Sequence, residues 1–251
     1  MAEHGWLRRA TRTGAVLAMV LSAALAAVEP GEAATRVTLR TDDGLTLAAT
    51  WYEPSSRPAP AVILVHMLHR SRREWEALAQ RLAAEGIGAL AVDLRGHGES
   101  PGAVGAGPDP TQADYSTMVL DVKAARRFLA QRSDVTQTRV GIAGSSIGAN
   151  LAALEASSDG TVASLALLSP SLDYRGLRIE AALRKVAERP VLLVASDDDP
   201  YALRSAKELQ KGGGGLRELL VLKQAGHGAS MLTRDPDLVR TLVDWFRRTL
   251  L

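Results

Sequence analysis

The chain contains no cysteine. That single absence removes disulfides, thiolate metal sites, a cysteine nucleophile and a lipidated N-terminal cysteine together. Charge of one sign is also scarce in excess: the net charge is only +2. The basic pairs Arg126-Arg127 and Arg247-Arg248 sit on helix-like stretches, where they read as solvated faces, so no nucleic-acid partner is expected. There is no internal repeat and no long low-complexity tract. The run Gly212 to Gly215 joins a helix to a strand and reads as a flexible turn, not a phosphate loop. The longest apolar run, residues 14–28, is too short to cross a bilayer comfortably, so no stable membrane span is expected.

The 251 residues are 46% hydrophobic and 23% charged, enough apolar material for one sizeable core. Arg8, Arg9 and Arg12 precede the apolar run, and small residues at its end and beyond it offer cleavage near Ala26 or Ala33. This is the pattern of an export signal, with a periplasmic or secreted product. Residues 1–34 are therefore read as the signal and residues 35–251 as a single folded domain. Composition says nothing about oligomeric state.

Beyond residue 34, two strands at 37–40 and 45–52 meet through Asp43-Gly44, a tight hairpin signal. From Ala59 onward, continuous apolar runs alternate with amphipathic helices. Ser71 with Glu74 predicts a capping box, followed by a stripe of Trp75, Leu78, Ala79, Leu82 and Ala83 that ends at Gly86. A helix is expected over 177–188. The last helix starts at Asp235-Pro236 and turns Leu238, Leu242, Trp245 and Phe246 inward. Strands that are apolar throughout, separated by helices, predict an α/β fold: a mostly parallel, doubly wound sheet with an antiparallel N-terminal hairpin and no large lid.

In such sheets, function collects in the loops at the carboxyl ends of strands. One of these holds Gly144-Ser145-Ser146-Ile147-Gly148, between a strand-like and a helix-like run. A serine in that sharp turn needs glycine two residues to either side, because a Cβ there would meet neighbouring backbone. The turn exposes the hydroxyl and directs the next N–H, that of Ile147, to the same place. A serine hydroxyl needs a neutral imidazole to take its proton, and the imidazole needs a carboxylate. Of five histidines only His227 follows Ser146, and Asp197, Asp198 and Asp199 lie on a strand-end loop between them.

These features together resemble the α/β-hydrolase family, nearest to small, lidless esterases similar to dienelactone hydrolase, which commonly carry cysteine where this chain has Ser146. The elbow at 144–148, the loop Asp93-Leu-Arg-Gly-His-Gly-Glu-Ser100, the acid loop 194–200 and the histidine loop 225–228 carry the resemblance. It implies Ser146, Asp199 and His227 as the catalytic set; by loop position alone, Asp197, or Asp173 after the preceding strand, stays open as the acid. It also implies backbone oxyanion donors at Leu68 and Ile147. One departure stands out: the family's His-Gly is His66-Met67 here, so the methionine restricts the loop's φ and adds bulk beside the acyl pocket.

His66, Met67 and His69 are candidate pocket residues. His66-x-x-His69 has metal-like spacing but no third ligand at a matching distance, so neither metal nor cofactor is expected. The implied activity is ester hydrolysis of small or short-chain acyl substrates through an acyl-enzyme. The alternatives are a thioesterase, a peptidase or a metal-free perhydrolase on the same triad, or a non-catalytic binding protein on the same fold.

Overall fold

Seven buried residues in a row, Ala59–Val65, have no solvated face and can be satisfied only inside a sheet covered on both sides. The computed structural model describes residues 1–2, 34–102 and 115–251, and it places this strand near the middle of an eight-stranded sheet. The apolar run at 14–28 lies outside the described residues.

In chain order the elements are β1 (Thr35–Arg40), β2 (Thr46–Tyr52), β3 (Ala59–Val65), α1 (Glu76–Ala84), β4 (Gly88–Val92), α2 (Val119–Ala130), β5 (Val135–Ser145) and α3 (Ile147–Ser158). They continue as β6 (Val162–Leu168), β7 (Asp173–Tyr174), β8 (Leu177–Arg178), α4 (Glu180–Val186), β9 (Val191–Ser196), α5 (Pro200–Gln210), β10 (Arg217–Leu222), α6 (Met231–Arg234) and α7 (Asp237–Leu250). The sheet order is β1-β2-β4-β3-β5-β6-β9-β10. β1 and β2 form the expected antiparallel hairpin, β2 pairs antiparallel with β4, and every pairing from β4 to β10 is parallel.

Helices α2, α3, α4 and α5 pack on one face and α1, α6 and α7 on the other. Trp75, Leu78, Ala79, Leu82 and Ala83 are all buried, as are Leu238, Leu242, Trp245 and Phe246. Each large side chain so buried stabilises the fold by roughly 1.5–3 kcal/mol.

Two local expectations are corrected. Ser71 precedes the 3-10 turn Arg72–Trp75 without a side-chain cap, and Glu74 does not reach back to it. Glu74 accepts the Met67 N–H instead, because the loop from β3 folds over it. The expected helix at 177–188 begins only at Glu180; Leu177 and Arg178 belong to a two-stranded hairpin with Asp173 and Tyr174. Asn150 of α3 holds that segment, donating to the carbonyls of Ser171 and Leu177 while accepting the Ser171 N–H. A tertiary contact thus outweighs local helix propensity.

Candidate active site

The turn from β5 into α3 puts Ser146 at φ 53°, ψ −116°, a conformation a non-glycine residue holds only when its surroundings enforce it. The enforcement is visible. The Ser146 N–H donates to the Leu168 carbonyl at 2.8 Å. A Cβ on Gly144 would overlap the Gly148 carbonyl, and one on Gly148 would overlap the carbonyl of Val65. Both glycines are therefore demanded by close backbone approach, and the hydroxyl is left at the N-terminal end of α3, where the helix dipole favours negative charge.

His227, on the loop after β10, accepts the Ser146 hydroxyl on Nε2 at 2.8 Å. Its Nδ1 lies 2.6 Å from Asp199 Oδ2. A carboxylate only accepts, so Nδ1 carries the proton and Nε2 is free to receive one. The structure thus brings Ser146, His227 and Asp199 into one chain of hydrogen bonds. Asp199 also acts at a helix end, where its Oδ1 accepts the Ala202 N–H and caps α5, with Pro200 in the first turn.

The neighbouring carboxylates do different work. Asp197 accepts the Gln224 N–H at 2.7 Å. Asp198 accepts the Gly226 N–H at 2.9 Å and the Ser196 hydroxyl, and these donors hold its carboxyl below the ordinary range. The Ser196 oxygen in turn accepts the Ala225 N–H. Acid loop and histidine loop are thereby laced together residue by residue. Asp173 stays in its own hairpin, bound by Arg178 and the Gly176 N–H, and makes no contact with His227. Ser169 was not singled out from the sequence. Its buried hydroxyl accepts the Gly228 N–H at 2.9 Å and steadies the residue after the histidine. The available signal was a serine directly after the apolar end of β6, Leu165 to Leu168.

Above β3, the loop is built around His66. Its Nε2 accepts the Leu94 N–H at 3.0 Å and its Nδ1 donates to the Met67 carbonyl at 2.7 Å. Burial pushes its pKa down to about 4, so the ring is neutral. Expected at the pocket, His66 is instead fully buried beneath the loop, with both nitrogens on backbone. Met67 avoids positive φ; the strained residue is His69, at φ 60° and exposed, in a turn closed by the Arg70 N–H to the Met67 carbonyl. A Cβ on Gly228 would come within 3.0 Å of Met67 Sδ, so the methionine lies against the histidine loop and Gly228 makes room for it. The Leu68 and Ile147 N–H groups donate to no protein acceptor among the described residues.

The segment 93–100 is scaffolding. Asp93 is fully buried and accepts from Arg72 and the Glu99 N–H, while Arg95 bridges Asp121 and Asp43. Desolvation raises the Asp121 pKa even with Arg95 beside it. Arg72 and Asp93 join the segments that follow β3 and β4, and Arg95 ties the end of β4 to α2 and to the β1–β2 turn.

A family model for serine aminopeptidase, S33, matches residues 56–243, about three quarters of the chain. The quorum-quenching protein AidA of Acinetobacter baumannii is 28% identical over 163 residues, which is 64% of this chain and 51% of that protein. The chain thus spans about half the length of that curated relative. Among solved structures, an esterase of Pyrococcus furiosus superposes with a TM-score of 0.71 at 19% identity, over 87% of this chain and 92% of the other. Dienelactone hydrolase from Anabaena variabilis gives 0.71 at 18% identity, over 87% and 99%. At those identities the two structures speak for the fold. With the family match covering both the elbow and the histidine loop, the chain belongs to the serine aminopeptidase S33 family of α/β-hydrolases.

Proposed function

We propose that this protein is a serine hydrolase that cleaves carboxylic esters of small or short-chain acyl groups through an acyl-enzyme. The observation that carries the reading is the unbroken path from the Ser146 hydroxyl through His227 to Asp199. Ser146 attacks the ester carbonyl as His227 takes its proton on Nε2, and Asp199 stabilises the imidazolium. The N–H groups of Leu68 and Ile147 receive the oxyanion. His227 then protonates the departing alcohol and afterwards activates the water that releases the acid.

Small substrates fit the exposure of the site. The His227 side chain is 44% accessible. Between Ser169 and Val191 stand only the hairpin of β7 and β8 and the short helix α4, where bulky lids are otherwise inserted. The test is a series of p-nitrophenyl esters of graded chain length, with Ser146→Ala as control and an aminoacyl p-nitroanilide as the peptidase arm. Turnover concentrated on the short esters and abolished in Ser146→Ala is the expected result. Faster cleavage of the anilide would assign peptidase activity. Failure of a fluorophosphonate to label Ser146 in the folded protein would leave a binding protein with an idle triad.

The same reading places the enzyme outside the cytoplasm, on the strength of the basic, apolar and small-residue succession at 8–33. Expression of the full chain in a bacterial host followed by N-terminal sequencing of the exported fraction tests it. A mature N-terminus between about residues 27 and 34 is expected. Retention of Met1 on a cytoplasmic product would overturn it.

A further inference from the structure

Glu74 has no part in the reaction just described, and its surroundings are unusual for a carboxylate. It stands on the turn 72–75, directly after the loop that carries Leu68. Its Oε1 accepts the Met67 N–H at 3.0 Å, while its Oε2 is shielded from solvent and has no partner. Burial raises its pKa to about 8, against the opposing pull of the Met67 N–H and the charge of Arg70. A surface glutamate at this point in the chain would have turned outward. This one faces inward and holds the loop from behind.

We propose that Glu74 is a positioning residue for the oxyanion donor Leu68. The geometry runs through Met67, which is held at both of its peptides. Glu74 grips the N–H of the 66–67 peptide, and His66 Nδ1 together with the Arg70 N–H holds the oxygen of the 67–68 peptide, at 2.7 and 3.2 Å. Because a trans peptide is planar, fixing the Met67 carbonyl fixes the Leu68 N–H on the opposite side of the same plane. The two soft dihedrals of Met67 lie between those anchors. Releasing the N–H end leaves the 67–68 peptide held at its oxygen alone, so the plane can rock about that anchor and carry the Leu68 N–H with it. A preorganised donor stabilises the oxyanion because it need not reorient during the reaction. Here the methionine narrows the loop's φ, and Glu74 selects one orientation.

This inference rests on the esterase reading, and the experiment separates the two. Wild type, Glu74→Leu, Glu74→Gln and Glu74→Asp are assayed for kcat and KM on p-nitrophenyl acetate. Inhibition by a trifluoromethyl ketone, which forms a tetrahedral adduct, and thermal unfolding are measured alongside. Glu74→Leu, which fills the space without an acceptor, is expected to lower kcat about 10- to 100-fold with KM within about twofold, and to weaken the ketone by the same factor. Glu74→Gln, which keeps an oxygen facing the Met67 N–H, is expected to restore most of kcat. Glu74→Asp withdraws the oxygen by one methylene and should show the same kcat loss, which decides the matter should the leucine variant not fold. Wild-type turnover with unchanged kcat in the leucine or aspartate variant overturns the proposal alone, as does equal damage to kcat and KM in the glutamine and aspartate variants. Wild type that neither turns over the ester nor reacts with a fluorophosphonate overturns the catalytic reading, and this proposal with it.

Discussion

The three consecutive aspartates 197–199 show how one residue type takes three roles from its geometry alone. Asp199 Oδ2 faces the imidazole, its Oδ1 caps α5, and its two neighbours hold the backbone of the opposing loop. The division separates catalysis from folding in a single substitution. In Asp199→Asn the amide oxygen still caps the helix, since Asn and Asp are equivalent there. The amide N–H, however, donates to Nδ1 and drives the imidazole proton to Nε2, where it can no longer accept from Ser146. A fall in kcat of about 10⁴-fold is expected, as for triads of this type, with the unfolding temperature held within a few degrees. Circular dichroism melting beside the ester assay checks it. Comparable activity in the asparagine variant would mean that the imidazole takes its orientation from elsewhere. Asp198→Ala is the contrasting case. It leaves the relay intact but frees the Gly226 N–H and the Ser196 hydroxyl, so a smaller loss of about tenfold is expected from a looser His227.

At the scale of elements, the elbow and the loop above β3 are one mechanical unit. Gly148, in the first turn of α3, packs so closely on the carbonyls of Val65 and His66 that an added methyl must displace one of them. Those carbonyls lead straight into Met67 and Leu68. Gly148→Ala should therefore destabilise the fold by about 2–4 kcal/mol and reduce turnover as well, because the strain is relieved by moving the loop that carries the proposed oxyanion donor. A stable variant with full activity would show that the helix and the loop shift independently.

The same elements show what the sequence makes legible. Continuous apolar strands and the glycine spacing around Ser146 are local patterns, and the strands appear where they were expected; serine, acid and histidine stand far apart along the chain, and only the fold brings them within hydrogen-bond reach. The features that were not legible depend on distant partners. Arg175 and Gly176, both at positive φ, turn a tight hairpin with Leu177 held by Asn150, yet Arg-Gly carries no strong turn signature. Glu74 three residues after Ser71 has the spacing of a capping box, and only the folded loop above it reveals an inward carboxyl. The family resemblance pointed to Asp199 with Asp197 and Asp173 left open beside it, whereas the roles of Asp197 and Asp198 exist only once the histidine loop lies opposite.

Across the whole molecule, buried ionisable groups set opposing limits on stability with pH. Burial pushes Glu74 up to about 8 and Glu155 up to about 7, the latter helped by Asp159, from an ordinary 4.5. A group whose folded pKa is raised binds its proton more tightly when folded. Its contribution is fully present below the unfolded value and is lost as pH climbs through the folded one. Between about pH 4.5 and 8 these two glutamates therefore weaken the fold progressively, each by on the order of a few kcal/mol. His66 acts in the other direction. Its pKa is lowered from 6.5 to about 4, so its contribution stands above the unfolded value and is lost as pH falls from 6.5 through 4. The expected outcome is a dome with its crest on the mildly acidic side, steeper toward alkali. Urea unfolding of wild type, Glu155→Gln and the double variant with Glu74→Gln, from pH 4 to 9, checks the assignment. Each glutamine cannot ionise, so each should flatten the alkaline slope while leaving in place the acid slope, to which His66 and the aspartates held below their ordinary value contribute. An alkaline slope unchanged in the double variant would mean that both carboxyls find water or a cation on ionising, and that burial does not govern the fold's response to pH.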